Sequence, residues 1–372
     1  MKNTQNNAQN LNGGKVGGYT EKNSALMFLL ALFLPYVLYF LFVLLVNIFV
    51  YNTKVYNEIL FGVTGNYISL IICQLSLIGA VYVLTKKNKL NFVKANNVSF
   101  KLDIVKILLV IAIGLVALFG FNWLSDMLSH VLSLLGYKIS SSSMQSYGVN
   151  NFGMLLVCLL FLAIFPAVCE EFSMRGVVFN GLLKKSKNFA IFISALMFMI
   201  IHLSLEQSIY QFVLGVVLAS IVYYSGNIIY SIILHLVNNS LVIILNYVSS
   251  VSITPQKFTS FLDYFLPILT ALITTVVIYF LFKLFKLRCK QTNCITLNEK
   301  LLKEKNNYLN SSEHSLKINE ATKLNQEKSN EQVARDLPKP KVEILDSKTA
   351  VIISLAIGII TWIISVASRF VM

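Results

Sequence analysis

The sequence predicts an all-α membrane protein, a polytopic helical bundle with about nine transmembrane helices and a cytosolic N-terminus. Of its 372 residues, 56% are hydrophobic and only 13% are charged, and the mean hydropathy is +0.69. A soluble globular protein carries about 25% charged residues. The apolar residues also form runs long enough to cross a bilayer, which takes about 20 residues of helix. These observations exclude a soluble globular protein.

The positive charge of the chain is distributed asymmetrically. The formal net charge is +14, which by itself would suit a nucleic-acid-binding protein. If the N-terminus is cytosolic and the spans alternate, nearly all Lys and Arg residues fall in cytosolic segments. The exceptions are Lys54, Lys138, Arg175, Lys257 and Arg369. This pattern is typical of membrane topology, so the sequence predicts the lipid bilayer as a partner and no nucleic acid.

Four spans are predicted in the first half of the chain. Residues 1–24 come before them and are predicted to be a disordered, basic cytosolic tail, because they are rich in Asn and Gly. Residues 125–151, between the third and fourth spans, contain a predicted interfacial helix and the serine run Ser140–Ser143. The four spans lie at about residues 25–51, 59–85, 104–124 and 152–182.

Five further spans complete the predicted bundle. The bundle covers residues 25–284, and the last helix lies within residues 349–372. Residues 285–348 are polar, rich in Lys and Asn and poor in aromatic residues, so we expect a cytosolic insert without a hydrophobic core. The five spans lie at about residues 189–204, 208–225, 229–248, 262–284 and 350–368.

The fourth span carries three ionisable residues in the run FPAVCEEFSMRGVVFN. Ionisable groups at bilayer depth are costly and almost always face a protein interior or a water-filled cavity. Glu171 and Arg175 are four residues apart, which places them on one helix face. Glu170 points about 100° away from Glu171, so Arg175 can neutralise Glu171 and leave Glu170 available for chemistry. The alternative interpretation is a buried ion pair that only locks two helices together.

Two histidines also fall in apolar spans, and each has a characteristic neighbour four residues away. His202 follows Phe198 near the end of the fifth span, and His235 precedes Asn239 in the seventh. Residues four apart share a helix face, so Phe198 is expected to stack beside His202, and Asn239 to lie on the face of His235.

The depths of these residues in the bilayer are expected to coincide. Glu171 and His202 each lie about 20 Å from the hairpin Lys184–Lys187 by helical rise. His235 lies about 12 Å, and Asn239 about 18 Å, from the next turn on the same side. The carboxylates, imidazoles, amide and guanidinium therefore converge on one layer, which isolated structural polar contacts would not do.

Such a cluster suits the hydrolysis of an amide by water. A carboxylate beside a neutral imidazole can hold and deprotonate a water molecule. A second His and an Asn on another helix can donate hydrogen bonds to a developing oxyanion. The groups of Glu170, His202 and His235 would also suit zinc. The HEXXH motif is absent, so the pattern permits zinc without requiring it, and water activation without a metal is equally compatible.

The three motifs together resemble those of the CPBP family. They are EExxxR at Glu170, Glu171 and Arg175, FxxxH at Phe198 and His202, and HxxxN at His235 and Asn239. That family comprises type II CAAX prenyl endopeptidases and bacterial Abi or bacteriocin-processing proteins, customarily described as metalloproteases, and the resemblance covers about residues 150–250. It implies an intramembrane endopeptidase in which the first Glu and the first His activate water, while the second His and the Asn stabilise the oxyanion.

The expected substrate is a membrane-associated peptide or protein, such as a pheromone, a bacteriocin leader or a membrane-protein tail. The bias towards Asn, Lys and Ile suggests a multi-pass protein of a bacterial plasma membrane. The basic hairpin Lys184–Lys187 favours a cytosolic mouth that attracts acidic or carboxylate-ended peptides. A non-catalytic immunity or scaffold protein is the alternative. A secondary transporter is disfavoured, because paired Gly/Pro-broken segments are not seen in corresponding halves.

Overall fold

A computed structural model describes residues 18–139, 144–252, 260–291 and 346–371, and in these ranges all the regular structure is helical. The predicted all-α polytopic bundle is confirmed, because eight of the described helices are long and apolar enough to cross a membrane. Most of the predicted N-terminal tail, the serine run Ser140–Ser143 and most of the predicted polar insert lie outside the described residues.

The described ranges contain eleven helices, which we number in chain order, and a short 3₁₀ turn at Met144–Tyr147. The helices are α1 (Glu21–Phe49), α2 (Thr53–Phe61), α3 (Val63–Lys87), α4 (Phe92–Ala95), α5 (Ile104–Leu134), α6 (Phe152–Leu182), α7 (Lys187–Ile201), α8 (Ser208–Ser225), α9 (Ile228–Ser252), α10 (Phe261–Gln291) and α11 (Ser347–Val371). Helices α2, α4 and α7 are the short ones. The predicted fifth span is α7, which has only 15 residues and is therefore about 22 Å long.

Helix α5 differs from the sequence-based expectation. The prediction of a separate interfacial helix after residue 124 is wrong, because α5 continues without a break to Leu134. No Gly or Pro interrupts the sequence between Asn122 and Leu135. The helix ends just before Gly136, which adopts a left-handed conformation with φ of 84°. Glycine accepts this conformation without a steric penalty and commonly terminates helices in this way.

The turns that were predicted to be cytosolic meet at one end of the bundle, which we call the Lys184 end. The Asn227 side chain donates to the Ser99 carbonyl at 2.7 Å and so ties the α8–α9 turn to the loop before α5. Arg288 of α10 donates to Asp103, the N-cap residue of α5, at 2.7 Å. This ion pair holds the pKa of the Asp103 carboxyl below its usual range.

The turns that were predicted to lie on the non-cytosolic side meet at the other end, which we call the Glu206 end. The hydroxyl of Tyr137, just after α5, donates to Glu206 at 2.7 Å. Arg369 of α11 forms an ion pair with the same carboxylate at 2.8 Å. The long helices therefore run alternately between two ends, as the spans predict. That the Lys184 end faces the cytosol stays a prediction.

The surface of the bundle is suited to lipid. Large apolar side chains stand exposed along the outer faces of α1 and α10, such as Phe40 and Phe49 on α1 and Leu272 and Phe280 on α10. A contiguous apolar surface of this extent is not found on soluble monomers and marks contact with a membrane or a partner. Together with the eight apolar helices, it identifies a multi-pass membrane protein.

Small residues bring α1 and α6 into close contact near the Lys184 end. Ser24 donates from its hydroxyl to the Val178 carbonyl at 2.7 Å. A Cβ atom added at Gly181 would lie 2.1 Å from the Ser24 hydroxyl oxygen and 2.4 Å from the Thr20 carbonyl oxygen. Small residues are favoured where membrane helices approach closely, and this crossing fixes the C-terminal part of α6.

We expect Gly181→Val to destabilise the bundle, because the new side chain would collide with backbone as well as with Ser24. Overpacking of this kind costs about 1–3 kcal/mol. Thermal unfolding of the purified protein in detergent measures the effect. Gly79→Val is the matched control, since a Cβ at Gly79 meets nothing within 4 Å. Equal melting temperatures for both variants would contradict the proposed close contact.

Candidate functional site

Helix α6, which carries the Glu pair, is wound irregularly. Two π-helical stretches, Leu159–Ile164 and Phe172–Phe179, flank an α-helical segment that contains Pro166. Proline has no N–H, so it cannot donate to the carbonyl of Leu162 four residues earlier. The Asn239 side chain donates to that carbonyl instead, at 3.4 Å. π-Helical turns occur often at functional sites, and here they surround the two carboxylates.

Glu171 and Arg175 form the ion pair that their spacing predicts, with Arg175 Nη1 donating to Glu171 Oε1 at 2.8 Å. The two side chains are 0% and 1% exposed, so neither charge is screened by solvent. Arg175 Nη2 also donates to the Gly215 carbonyl of α8 at 3.5 Å, and its guanidinium lies 4.3 Å from the ring centre of Phe198. A buried ion pair is tolerated only when further contacts of this kind offset the lost hydration.

His235 brings α9 to the same carboxylate. Its Nδ1 lies 3.0 Å from Glu171 Oε1, and its Nε2 lies 3.9 Å from Glu170 Oε2. A carboxylate only accepts hydrogen bonds, so Nδ1 carries the proton and Nε2 faces Glu170. Sequence reasoning assigned Glu171 to Arg175 alone and missed its second role, which is to orient His235.

His202 is oriented by its own helix. Its Nδ1 lies 2.7 Å from the Phe198 carbonyl oxygen. Since a carbonyl only accepts, Nδ1 carries the proton and Nε2 is the basic nitrogen of the neutral imidazole. The buried Phe198 ring packs edge-on against His202 at 4.8 Å and against His235 at 5.9 Å between ring centres. Phe198 therefore lies beside His202 as predicted, although edge-on rather than stacked, and it also contacts the second imidazole.

The structure brings six of the seven predicted residues into one connected cluster, and Asn239 lies one helical turn beyond His235, against the Leu162 carbonyl. Glu170, Glu171 and Arg175 come from α6, Phe198 and His202 from α7, and His235 and Asn239 from α9. Glu171 is completely buried, whereas the side chain of Glu170 keeps 16% of its surface exposed. In the described chain no ion pair joins Glu170 to His202, and His235 is the imidazole closest to both carboxylates.

Asn239 belongs to a chain of hydrogen bonds of which only Asn239 itself was predicted from the sequence. Its Oδ1 accepts from Asn238 at 3.1 Å, and the Asn238 oxygen accepts from the hydroxyl of Tyr210 on α8. Asn238 is adjacent to the motif residue and could have been noticed for that reason. Tyr210 has no comparable signal, because its position against α9 depends on how the two helices pack.

A cavity of about 410 Å³ reaches Asn239 and extends towards the Glu206 end. Helix α5 lines it with four polar residues at helical spacing, Asn122, Ser125, Asp126 and Ser129. The helical spacing of these four polar residues could have been recognised in the sequence. The expected mouth lay at the opposite end, beside the basic hairpin. Glu206 and Gln207, in the turn between α7 and α8, place the cavity at the Glu206 end, and the mouth beside the basic hairpin stays a prediction.

The residues considered for zinc do not form a converged ligand set. Nowhere in the described ranges do three His, Cys, Asp or Glu side chains group so that they could hold a metal ion. His202 Nδ1 is engaged by the Phe198 carbonyl, and His235 Nδ1 is engaged by Glu171. These contacts leave Nε2 of each imidazole available, as in metal-bound histidines. It is the lack of a converging group of ligands in the described ranges that does not fit zinc, and no step below depends on a metal.

The last helix supports the backbone next to His202. Leu203 has φ of 47°, an unfavourable conformation for a residue with a side chain. Its carbonyl accepts from Ser365 at 3.2 Å and from Arg369 at 3.5 Å, both on α11. Arg369 also pairs with Glu206, as described above. Sequence reasoning missed this support, because contacts between distant segments leave no trace in local spacing.

Comparison with known proteins identifies the central part of the chain. Residues 152–241 match the family described as type II CAAX prenyl endopeptidase Rce1-like. The similarity to this family therefore extends from the start of α6 into α9. All seven predicted site residues lie inside it, whereas α1–α5, α10 and α11 lie outside. No curated protein and no solved structure was found to match the chain.

We expect Arg175→Ala to destabilise the protein, because it leaves the buried Glu171 carboxylate without its main counter-charge. Breaking a buried pair by removing one partner costs about 3–5 kcal/mol. The yield of folded protein and its melting temperature in detergent test this. Arg175→Met combined with Glu171→Gln removes both charges and should recover part of the loss. Normal melting of Arg175→Ala with weak substrate binding would instead identify Arg175 as a substrate-anchoring residue.

We expect Arg369→Ala to lower kcat with little change in KM, because Arg369 acts on the backbone beside His202. Small displacements of a catalytic group can cost up to about 100-fold in rate. Arg369→Lys should restore part of the activity. Arg288→Ala is the matched control, since it removes the ion pair with Asp103 at the other end of the bundle. An equal loss of kcat in both variants would point to general destabilisation.

Proposed function

Starting from the similarity to the Rce1-like family at residues 152–241, we propose that the chain is an intramembrane endopeptidase that cleaves a membrane-associated peptide or protein by activating water. The observation that carries this proposal is the division between two adjacent carboxylates. Glu171 is fully buried and paired with Arg175, whereas Glu170 is partly exposed and faces His235 Nε2 at 3.9 Å. A merely structural ion pair would need only Glu171.

Glu170 is proposed to be the general base. Its carboxylate accepts a proton from water while the resulting hydroxide attacks the carbonyl carbon of the scissile bond. His202 assists by accepting a hydrogen bond from the same water at Nε2, which its Nδ1 contact with Phe198 leaves basic. The proton held by Glu170 then passes to the leaving amine nitrogen as the carbon–nitrogen bond breaks. Protons balance, and no other reactant is required.

His235 and Asn239 are proposed to stabilise the oxyanion. Asn239 uses one amide hydrogen for the Leu162 carbonyl and keeps a second for the substrate. His235 can donate through Nε2 only as an imidazolium, since its Nδ1 proton is directed at Glu171. Oxyanion donors of this kind typically contribute about 10²–10³-fold in kcat.

The cellular setting belongs to the same proposal. The chain would act within a bacterial plasma membrane, with the N-terminus and the Lys184 end in the cytosol, as the distribution of Lys and Arg supports. The partners would be the lipid bilayer and the membrane-associated substrate. Water activation by Glu170 and His202 as proposed here requires no metal.

We expect Glu170→Gln to abolish cleavage while folding and membrane insertion stay intact, since an amide cannot accept the proton. General acid–base groups contribute about 10²–10⁴-fold in rate. Mass spectrometry of membrane peptides co-expressed with each form would reveal the products. Cys169→Ser, at the adjacent position, is the matched control and should retain activity. Near wild-type turnover by Glu170→Gln would remove the mechanism, and continued protection of a host by that variant would indicate an immunity protein.

A further inference from the structure

We propose that the cavity at the Glu206 end binds an extended, internal segment of a peptide, neutral or basic, rather than a peptide that ends in a free carboxylate. The inference rests on the proposed function in one respect, because it takes the bound segment to be the substrate. It adds the chemical class of that segment, its direction of approach and the residues that recognise it.

Six of the sixteen residues that line the cavity carry carboxamides. They come from α5, α8, α9 and the residue before α8, and they are Asn122, Gln207, Gln211, Asn238, Asn239 and Asn246. A carboxamide offers two donors and one acceptor, so a set of them complements the alternating N–H and C=O groups of a peptide backbone. The volume of about 410 Å³ lies in the usual range of ligand sites, about 300–1,000 Å³.

Gln211 supplies a further indication that a ligand belongs here. Its Oε1 is buried and has no hydrogen-bond partner in the described chain. Buried acceptors without a partner are uncommon and costly, and their presence in a native site calls for an explanation. A peptide N–H in the cavity would provide the missing donor. The acyl chain of a lipid has no such donor.

The charges in the cavity argue against a carboxylate ligand. Among the lining residues that the structure describes, Asp126 and Glu206 are the charged ones, and neither Lys nor Arg is present. A free C-terminal carboxylate would meet the like charge of Asp126 and find no cation among these lining residues, since the nearby Arg369 is already paired with Glu206. The cavity therefore differs from the carboxylate-attracting mouth expected at the basic hairpin.

The cavity also has a direction. Asn239, Val242, Ile243 and Asn246 line it from one face of α9, at helical spacing. These residues span about 10 Å by helical rise. Asn239 lies four residues from His235, so its end of the cavity is the one nearest the Glu170 carboxylate. A segment lying along α9 would thus enter from the Glu206 end and present a peptide bond next to Asn239.

Photo-crosslinking in detergent tests the inference without requiring cleavage. A benzophenone amino acid replaces Val242 in the Glu170→Gln protein, and in a matched control it replaces Ser220, which lines a separate groove between α8 and α10. The probe is a library of N-myristoylated peptides made in two forms, with a C-terminal amide or with a C-terminal carboxylate. We expect cross-linking at position 242, at least about tenfold stronger for the amide form, since an unpaired carboxylate costs more than a neutral contact.

The outcomes separate this inference from the proposed function. Selective cross-linking at position 242 supports the site, even if the wild-type protein cleaves none of the captured peptides, and then only the protease proposal fails. No product at position 242, a preference for the carboxylate form, or equal labelling at position 220 would overturn the site, even if cleavage occurs. For a captured peptide that is cleaved, Gln211→Leu should raise KM with little change in kcat.

Discussion

The Glu171 carboxylate, shared between Arg175 and His235, is the interaction on which the geometry of the site depends. One carboxylate oxygen, Oε1, accepts from Arg175 at 2.8 Å and from His235 at 3.0 Å, and the carboxylate is completely buried. A charge in such surroundings must be paired, because hydration is lost. That requirement holds α6 and α9 in one relative position, while the contact of Arg175 with Gly215 adds α8. The adjacent Glu170 is then presented towards His235 Nε2, at 3.9 Å.

The irregular winding of α6 complements this pairing. A proline inside a membrane helix leaves a carbonyl without its usual donor, and a polar side chain from a neighbour often takes its place. Here the neighbour is Asn239, so the distortion that Pro166 introduces is linked directly to one of the proposed oxyanion donors. The hydrogen bonding that satisfies the backbone of α6 and the groups proposed for catalysis therefore use the same residues. Neither could be changed without affecting the other.

Much of the layer of polar residues was predictable, because helical rise and periodicity convert spacing in the sequence into position in space. The pairing of Glu171 with Arg175 and the contact of Phe198 with His202 followed from four-residue spacing alone. The contact between His235 and Glu171 did not, since periodicity gives no information about the rotation of one helix against another. The cavity at the Glu206 end was not predicted, because the polar residues of α5 that line it lie outside the motifs, and a mouth beside the basic hairpin stays a prediction.

The contacts of α11 have a consequence for recognising active members among related sequences. The motifs lie within residues 152–241, yet the backbone after His202 is held by Ser365 and Arg369, more than a hundred residues later in the chain. A shortened homologue that lacked this helix would keep every motif residue and still lose that support. Inspection of motifs alone would count such a protein as an intact enzyme. A better criterion would ask for the distant arginine together with the acidic residue that follows the FxxxH motif.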